Sequence, residues 1–144
     1  MKEFVKPFKK GSYNVVSPFF ENKTPGEVYT GNDSNFDIND QYKISHKETS
    51  YEVKSFTNVY AIESGIVSHI KKTTVFGLEE LSIMIKLNTG HTVEYKGLYK
   101  LTPKPGDSIL RNEIIGLTGD LRLYPGVDIK LSKNKISLDP ENFY

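Results

Sequence analysis

Residues 81–98 read LSIMIKLNTGHTVEYKGL, and this stretch decides the fold. Ile83, Ile85 and Leu87 alternate with Ser82, Met84 and Lys86; beyond Asn88-Thr89-Gly90, Val93 and Tyr95 alternate with Thr92, Glu94 and Lys96. A period of two sends successive side chains to opposite faces of a strand, so each run has an apolar face and a mostly polar one. Asn-Thr-Gly is turn chemistry. Two strands, Leu81 to Leu87 and His91 to Leu98, are therefore expected to fold back on each other.

The same signal repeats on both sides of this hairpin. Tyr42 to His46, Tyr51 to Lys54, Val59 to Ile62 and Gly65 to Lys71 precede it; Ser108 to Ile109, Ile114 to Leu117, Val127 to Leu131 and Ile136 to Leu138 follow. Glu63-Ser64-Gly65 and Pro105-Gly106-Asp107 punctuate the runs as turns. Thr73 to Glu80 reads as a loop, with Glu79-Glu80 at a solvated hairpin tip. Apart from one helical turn at Gly119 to Leu123, no segment sustains a helical period over about 12 residues. In Leu121 to Leu131, LRLYPGVDIKL, Tyr124-Pro125-Gly126 turns into a strand with Val127, Ile129 and Leu131 on its apolar face and Asp128 on the other. The expectation is an all-β chain, a curled antiparallel sheet or open barrel.

Upstream the pattern is less regular. Residues 1–12 form an N-terminal arm that mixes Lys2, Lys6, Lys9 and Lys10 with Phe4, Val5 and Phe8, aromatics that can pack on the body. Tyr13 to Phe20 has strand composition and stops at Ser17-Pro18. Glu21 to Asp40 is polar and turn-rich, a long surface loop with a short hairpin near Glu27 to Thr30. Its Asp33, Asp37 and Asp40 lack the spacing of a calcium-binding loop. With 144 residues the chain fits one domain, spanning 13–144 behind the arm.

Composition excludes several functions. The 19 basic and 18 acidic residues leave a net charge of +1, which offers no field to attract nucleic acid or an anionic membrane. Without cysteine there is no disulfide, thiolate zinc site or cysteine nucleophile. The first residues hold no apolar run of signal length, and no later run approaches the roughly 18 residues of a membrane span. The expectation is a soluble protein of the cytoplasm, or one that reaches the outside in a phage particle or on lysis.

From Val59 onward the order of signals resembles the LytM or lysostaphin-like M23 family of zinc metallopeptidases, which cut peptidoglycan cross-links. Val59-Tyr60-Ala61 with Gly65-Ile66-Val67 is similar to that family's opening strand pair, and residues 81–95 to its central hairpin. Lys104-Pro105-Gly106-Asp107, Ile115-Gly116-Leu117-Thr118-Gly119 and Leu138-Asp139-Pro140 match later motifs, and Ser17-Pro18-Phe19 resembles an early one. The resemblance implies a LytM-type open barrel-sandwich, the duplicated hybrid motif.

It also implies a zinc site, and there the chain departs. The family takes ligands from an H-x-x-x-D motif and from the second histidine of H-x-H; the first histidine of that pair and one in Y-x-H-L assist the water and the oxyanion. Here His46 keeps the first ligand and Ser50 stands for the aspartate; a register two residues later would place Glu48 and Glu52 there. Gly97 stands for the assisting histidine, and Gly126 and Asp128 for the H-x-H pair. Zinc must lower the pKa of its water while neighbouring groups move protons, so these changes remove most of the chemistry. His46, Asp128 and Glu52 would be the remaining metal donors. His69 and His91 read as ordinary surface or core histidines.

No strained serine turn, phosphate loop or carboxylate pair points to another enzyme, and nothing calls for a cofactor. A biotinyl or lipoyl carrier lacks its hairpin-tip lysine. Tyr42, Tyr51, Tyr60, Tyr95, Tyr99 and Tyr124 are candidates to line a peptide groove, although cross-strand packing is the default role of each in a β-rich chain. The expected function is a catalytically inactive LytM-like module that binds a peptidoglycan peptide or a protein, either a wall hydrolase it regulates or a virion component. The alternative is a metallopeptidase with a His46/Asp128 site.

Overall fold

The hairpin at Asn88-Thr89-Gly90 forms as expected in the computed structural model, which describes residues 3–9, 13–23, 44–120 and 126–144. The described strands are β1 (Tyr13–Ser17), β2 (Phe20–Lys23), β3 (Ile44–His46), β4 (Thr49–Val53), β5 (Asn58–Tyr60) and β6 (Gly65–Val75). They continue as β7 (Leu78–Leu87), β8 (Thr92–Leu101), β9 (Ser108–Ile109), β10 (Ile114–Thr118), β11 (Val127–Lys133) and β12 (Ile136–Leu138), before a 3-10 turn at Pro140–Asn142. Ten strands make one antiparallel sheet in the order β1-β4-β11-β8-β7-β6-β9, with β12 on β11 and β10 between β8 and β5. β2 and β3 form a separate pair.

Strand β8 makes the sheet curl. Along one edge it pairs with β7; along the other, Thr92 to Lys96 pair with β11 and Leu98 to Leu101 with β10. The change of partner falls at Gly97, where φ is +84° and the β7 register slips between Leu81 and Ile83. This is a bulge on β8, and a bulge bends its strand.

The buried face follows the period-two pattern. Ile83, Ile85, Val93, Tyr95, Ile129, Leu131 and Tyr51 are fully buried. The arm closes this core: Phe4 and Phe8 are buried, the Phe4 amide donates to the Phe143 carbonyl, and the Tyr60 amide donates to the Pro7 carbonyl. Phe8 packs edge-on to Tyr51 at 5.6 Å. At the C-terminus the Tyr51 hydroxyl donates to Glu141 at 2.7 Å and also meets the hydroxyl of buried Tyr144.

Several expectations need correction. Thr73 to Glu80 is not a loop: Thr73 pairs with Glu80 and Val75 with Leu78, so Glu79 and Glu80 lie within β7 and the turn is Phe76-Gly77. β-Branched Thr73, Thr74 and Val75 extend β6. Glu21 to Lys23 belong to β2 and not to a loop. The strand expected from Tyr13 to Phe20 is split by Pro18 into β1 and the start of β2. Gly119 and Asp120 are not helical. The rest of that helical turn, residues 24–40 of the expected loop with its acids and hairpin, and the Tyr42 end of β3 lie outside the described residues.

His91 is buried between Phe4 and Phe143, whose ring centroids stand 5.2 and 5.4 Å away. Burial pushes its pKa below the usual 6.5; Glu3 opposes the shift and Lys133 reinforces it. The unfolded chain therefore takes up this proton more readily. His91 stabilises the fold above pH 6.5, and the contribution is lost as pH falls through the lowered value. In urea titrations His91→Gln will show a shallower loss of stability below pH 6.5 than the wild type. Phe8→Ala will cost about 3–5 kcal/mol by the same measurement, because it opens a cavity among Tyr13, Tyr51 and the sheet; a loss under about 1 kcal/mol would return the arm to the role of a loose tail.

Candidate functional site

On the face opposite the core, β4, β11 and β8 lie side by side. Asp128 on β11 stands across from Ser50 on β4 and from Lys96 on β8. Their chain neighbours Thr49, Tyr51, Val127, Ile129 and Tyr95 are buried, so Ser50, Asp128 and Lys96 form a row on the half-buried outer face. The pairing thus joins two positions that the resemblance matches to zinc ligands.

The positive charge in this row comes from a lysine. Lys96 Nζ donates to Glu48 Oε2 at 2.9 Å and lies 3.6 Å from Glu94 Oε1. Burial alone would lower the lysine pKa; the hydrogen bond and charge of Glu48, with the charges of Glu94 and Asp128, outweigh it and raise the value. A buried charge persists where it is paired and hydrogen-bonded. Two cavities flank the ammonium. One of about 190 Å³ is lined by Ser45, His46, Lys47, Glu48, Lys96 and Lys130. The other, of about 260 Å³, lies among Lys71, Thr73, Glu80, Ser82, Glu94, Lys96 and Gly97.

His46 belongs to the β2–β3 pair and borders the smaller cavity with Glu48 and Lys96. Its Nδ1 lies 2.8 Å from the Pro18 carbonyl, which only accepts, so Nδ1 carries the proton and Nε2 of the neutral ring is an acceptor. Among the described residues no three His, Asp or Glu side chains stand together as a metal site, so His46, Asp128 and Glu52 do not form the expected donor set.

At the two glycines the backbone itself leaves no room for a side chain. A Cβ on Gly97 would stand 2.5 Å from the Gly126 carbonyl oxygen, and one on Gly126 would overlap the Tyr51 carbonyl oxygen. Their φ angles, +84° and +135°, also disfavour any other residue. The residues present do not fit a zinc ion: Ser50 is a poor ligand, an ammonium stands beside Asp128, and the assisting positions are closed by main chain.

The tyrosines divide. Tyr51 and Tyr95 are fully buried, which removes them from any groove; they share the inward phase with Val53 and Val93. The Tyr95 hydroxyl accepts from the Ile62 amide at 3.0 Å, and burial pushes both hydroxyl pKa values well up. Tyr60 is half-buried under the Lys9 ammonium, 5.8 Å from its ring centroid. Half-exposed Tyr99 stacks edge-on with Phe56 at 5.8 Å. Tyr42 and Tyr124 lie outside the described residues. Sequence reasoning missed Lys96 and Glu94, and named Glu48 only as a ligand position in the shifted register. Their signal was the alternation of Glu94 and Lys96 against Asp128 and Lys130, which is informative only once β8 and β11 are set in register.

No family profile and no curated protein matches this chain. Solved structures do. A zinc-containing peptidase from Vibrio cholerae superposes with a TM-score of 0.67 at 20% identity, over 93% of this chain and 37% of that one. A chain from the complex of SpoIIIAH and SpoIIQ gives 0.72 at 20% identity, over 98% and 99%. The catalytic domain of the prophage-encoded M23 protein EnpA from Enterococcus faecalis gives 0.55 at 20%, over 90% and 95%. The chain spans just over a third of the Vibrio peptidase and nearly all of the other two. It has the LytM-like fold of the M23 peptidases, in a form without a metal-holding group among its described residues.

The glycine geometry gives a direct test. Gly97→Ala and Gly126→Ala will each lower stability by about 2–4 kcal/mol in urea denaturation, from backbone strain plus overlap with main-chain oxygen; a cost below about 0.5 kcal/mol at both positions would show that side chains are accommodated there.

Proposed function

We propose that this chain is a non-catalytic LytM-type domain that holds a peptide or protein partner on the outer face of β4, β11 and β8. The observation that carries the reading is the Lys96 ammonium, bound to Glu48 and facing Asp128 in the row where the resemblance expects a cation and its ligands. An ammonium is not a Lewis acid and lowers the pKa of no water, so the face lacks the means to activate a nucleophile while keeping its charge balance. The cavities on either side carry lysines, carboxylates and hydroxyls, groups that suit the amides and charged ends of a peptide. A protein partner has independent support, because one fold neighbour was crystallised as a complex of two proteins. The partners that suit such a face are a peptidoglycan stem peptide, a wall hydrolase under regulation, and a virion component.

The purified chain, dialysed exhaustively and then given zinc, will retain less than 0.1 equivalent by elemental analysis and will release no product from purified peptidoglycan; one zinc per chain together with cleavage would refute the proposal. Sedimentation with purified peptidoglycan then separates wall recognition from protein recognition. Lys96→Ala should abolish whichever binding is found, and unchanged affinity would move the binding surface elsewhere.

A further inference from the structure

The hairpin of β6 and β7 ends in a residue that the fold does not need. Phe76 is 99% exposed at the first position of a two-residue turn, and both Phe76 (φ +49°) and Gly77 (φ +79°) are left-handed. This is the turn in which Asn-Gly or Asp-Gly is favoured, because a short polar side chain tolerates that backbone and a large aromatic does not. Phe76 thus pays twice, once in backbone strain and once in exposed ring, and asparagine would relieve both. The arm that carries it is firm: continuous pairing runs from His69 opposite Met84 to Val75 opposite Leu78. Below the tip, Lys72 and Glu79 form an ion pair at 3.6 Å, while Lys71 and Glu80 add one charge of each sign.

We infer that Phe76 is an anchor that inserts into an apolar pocket on a protein partner. A single aromatic surrounded by a neutral, hydrogen-bonding collar has the anatomy of a protein-interface hot spot. A tip built for an anionic membrane would carry a basic collar, and here two lysines are matched by two glutamates. The two-residue turn holds the ring at the end of a rigid ladder, so little conformational entropy is lost on insertion. Lys71 and Glu80 of the collar also line the cavity beside Lys96, so the tip adjoins that face, but the Phe76 ring is not part of it and the inference does not depend on what that face binds.

The test is a substitution that separates folding from binding. Phe76→Asn in the full chain should raise Tm by about 2–4 °C, the size of shift expected for relieving strain at one residue of a domain this long; a lower Tm would mean that Phe76 serves the fold and would overturn the inference. A photo-crosslinking phenylalanine analogue at position 76, expressed in the native cells, should capture a protein that the same analogue at exposed Leu110 does not. That protein, purified, should bind the wild type at least tenfold more tightly than Phe76→Asn, with Phe76→Gly behaving as the asparagine variant does. Equal affinities overturn the inference. So do capture of a second copy of this chain alone, or equal capture from positions 76 and 110. Phe76-dependent sedimentation with phosphatidylcholine–phosphatidylglycerol vesicles, without a captured protein, would reassign the tip to lipid and also overturn it.

Discussion

The approach of three main-chain segments at Tyr51, Gly126 and Gly97 governs the centre of this molecule. Gly97 is where β8 exchanges β11 for β10, and Gly126 leads into β11 directly over the Tyr51 carbonyl. A Cβ at either glycine would push β8 or β4 away from β11, and the pairing that sets Asp128 between Ser50 and Lys96 would go with it. The same packing seats Tyr51 and Tyr95 beneath the sheet, where their hydroxyls reach Glu141 and the Ile62 amide. Core and outer face are therefore two consequences of one close contact.

On the outer face, electrostatics decide between a metal and a lysine. The charges of Glu48, Glu94 and Asp128 all act on one spot, and a cation there balances them. Lys96 does this through a flexible stem, with its raised pKa keeping it charged through the physiological range. Coulombic balance is thus satisfied within the chain. A divalent ion entering this face would have to displace an ammonium that already holds a 2.9 Å hydrogen bond, which works against metal uptake.

Much of the fold was legible because strand period and turn chemistry are local. β9 and β12 fall on the expected residues, and β7, β8, β10 and β11 contain or nearly contain the expected runs. The turn at Phe76-Gly77 was not legible, since phenylalanine carries no preference for a left-handed backbone and only the pairing of Thr73 with Glu80 reveals it. The inward place of Tyr51 and Tyr95 was available from their phase with Val53 and Val93, and packing is the default role of a strand tyrosine, but aromatic residues suit a groove as well as a core and the resemblance kept the groove open. Lys96 was hidden for a different reason. Its role depends on which residue of β11 stands opposite, and cross-strand register is a long-range property that one strand's pattern does not contain.

Coordination and main-chain packing impose different kinds of precision. A zinc site fixes its ligands to within a few tenths of an ångström through directional bonds, so the side chains demand accuracy and the backbone must supply it. An ammonium among carboxylates tolerates larger displacement, because its donors rotate and its attraction falls slowly with distance. At Gly97 and Gly126 main chain touches main chain, and this contact positions β4, β8 and β11. The surface that results is a sheet set by main-chain contact that carries a lysine paired with carboxylates. That combination accords with the proposed recognition of a partner, because positioning a reacting atom requires the side chains themselves to be held.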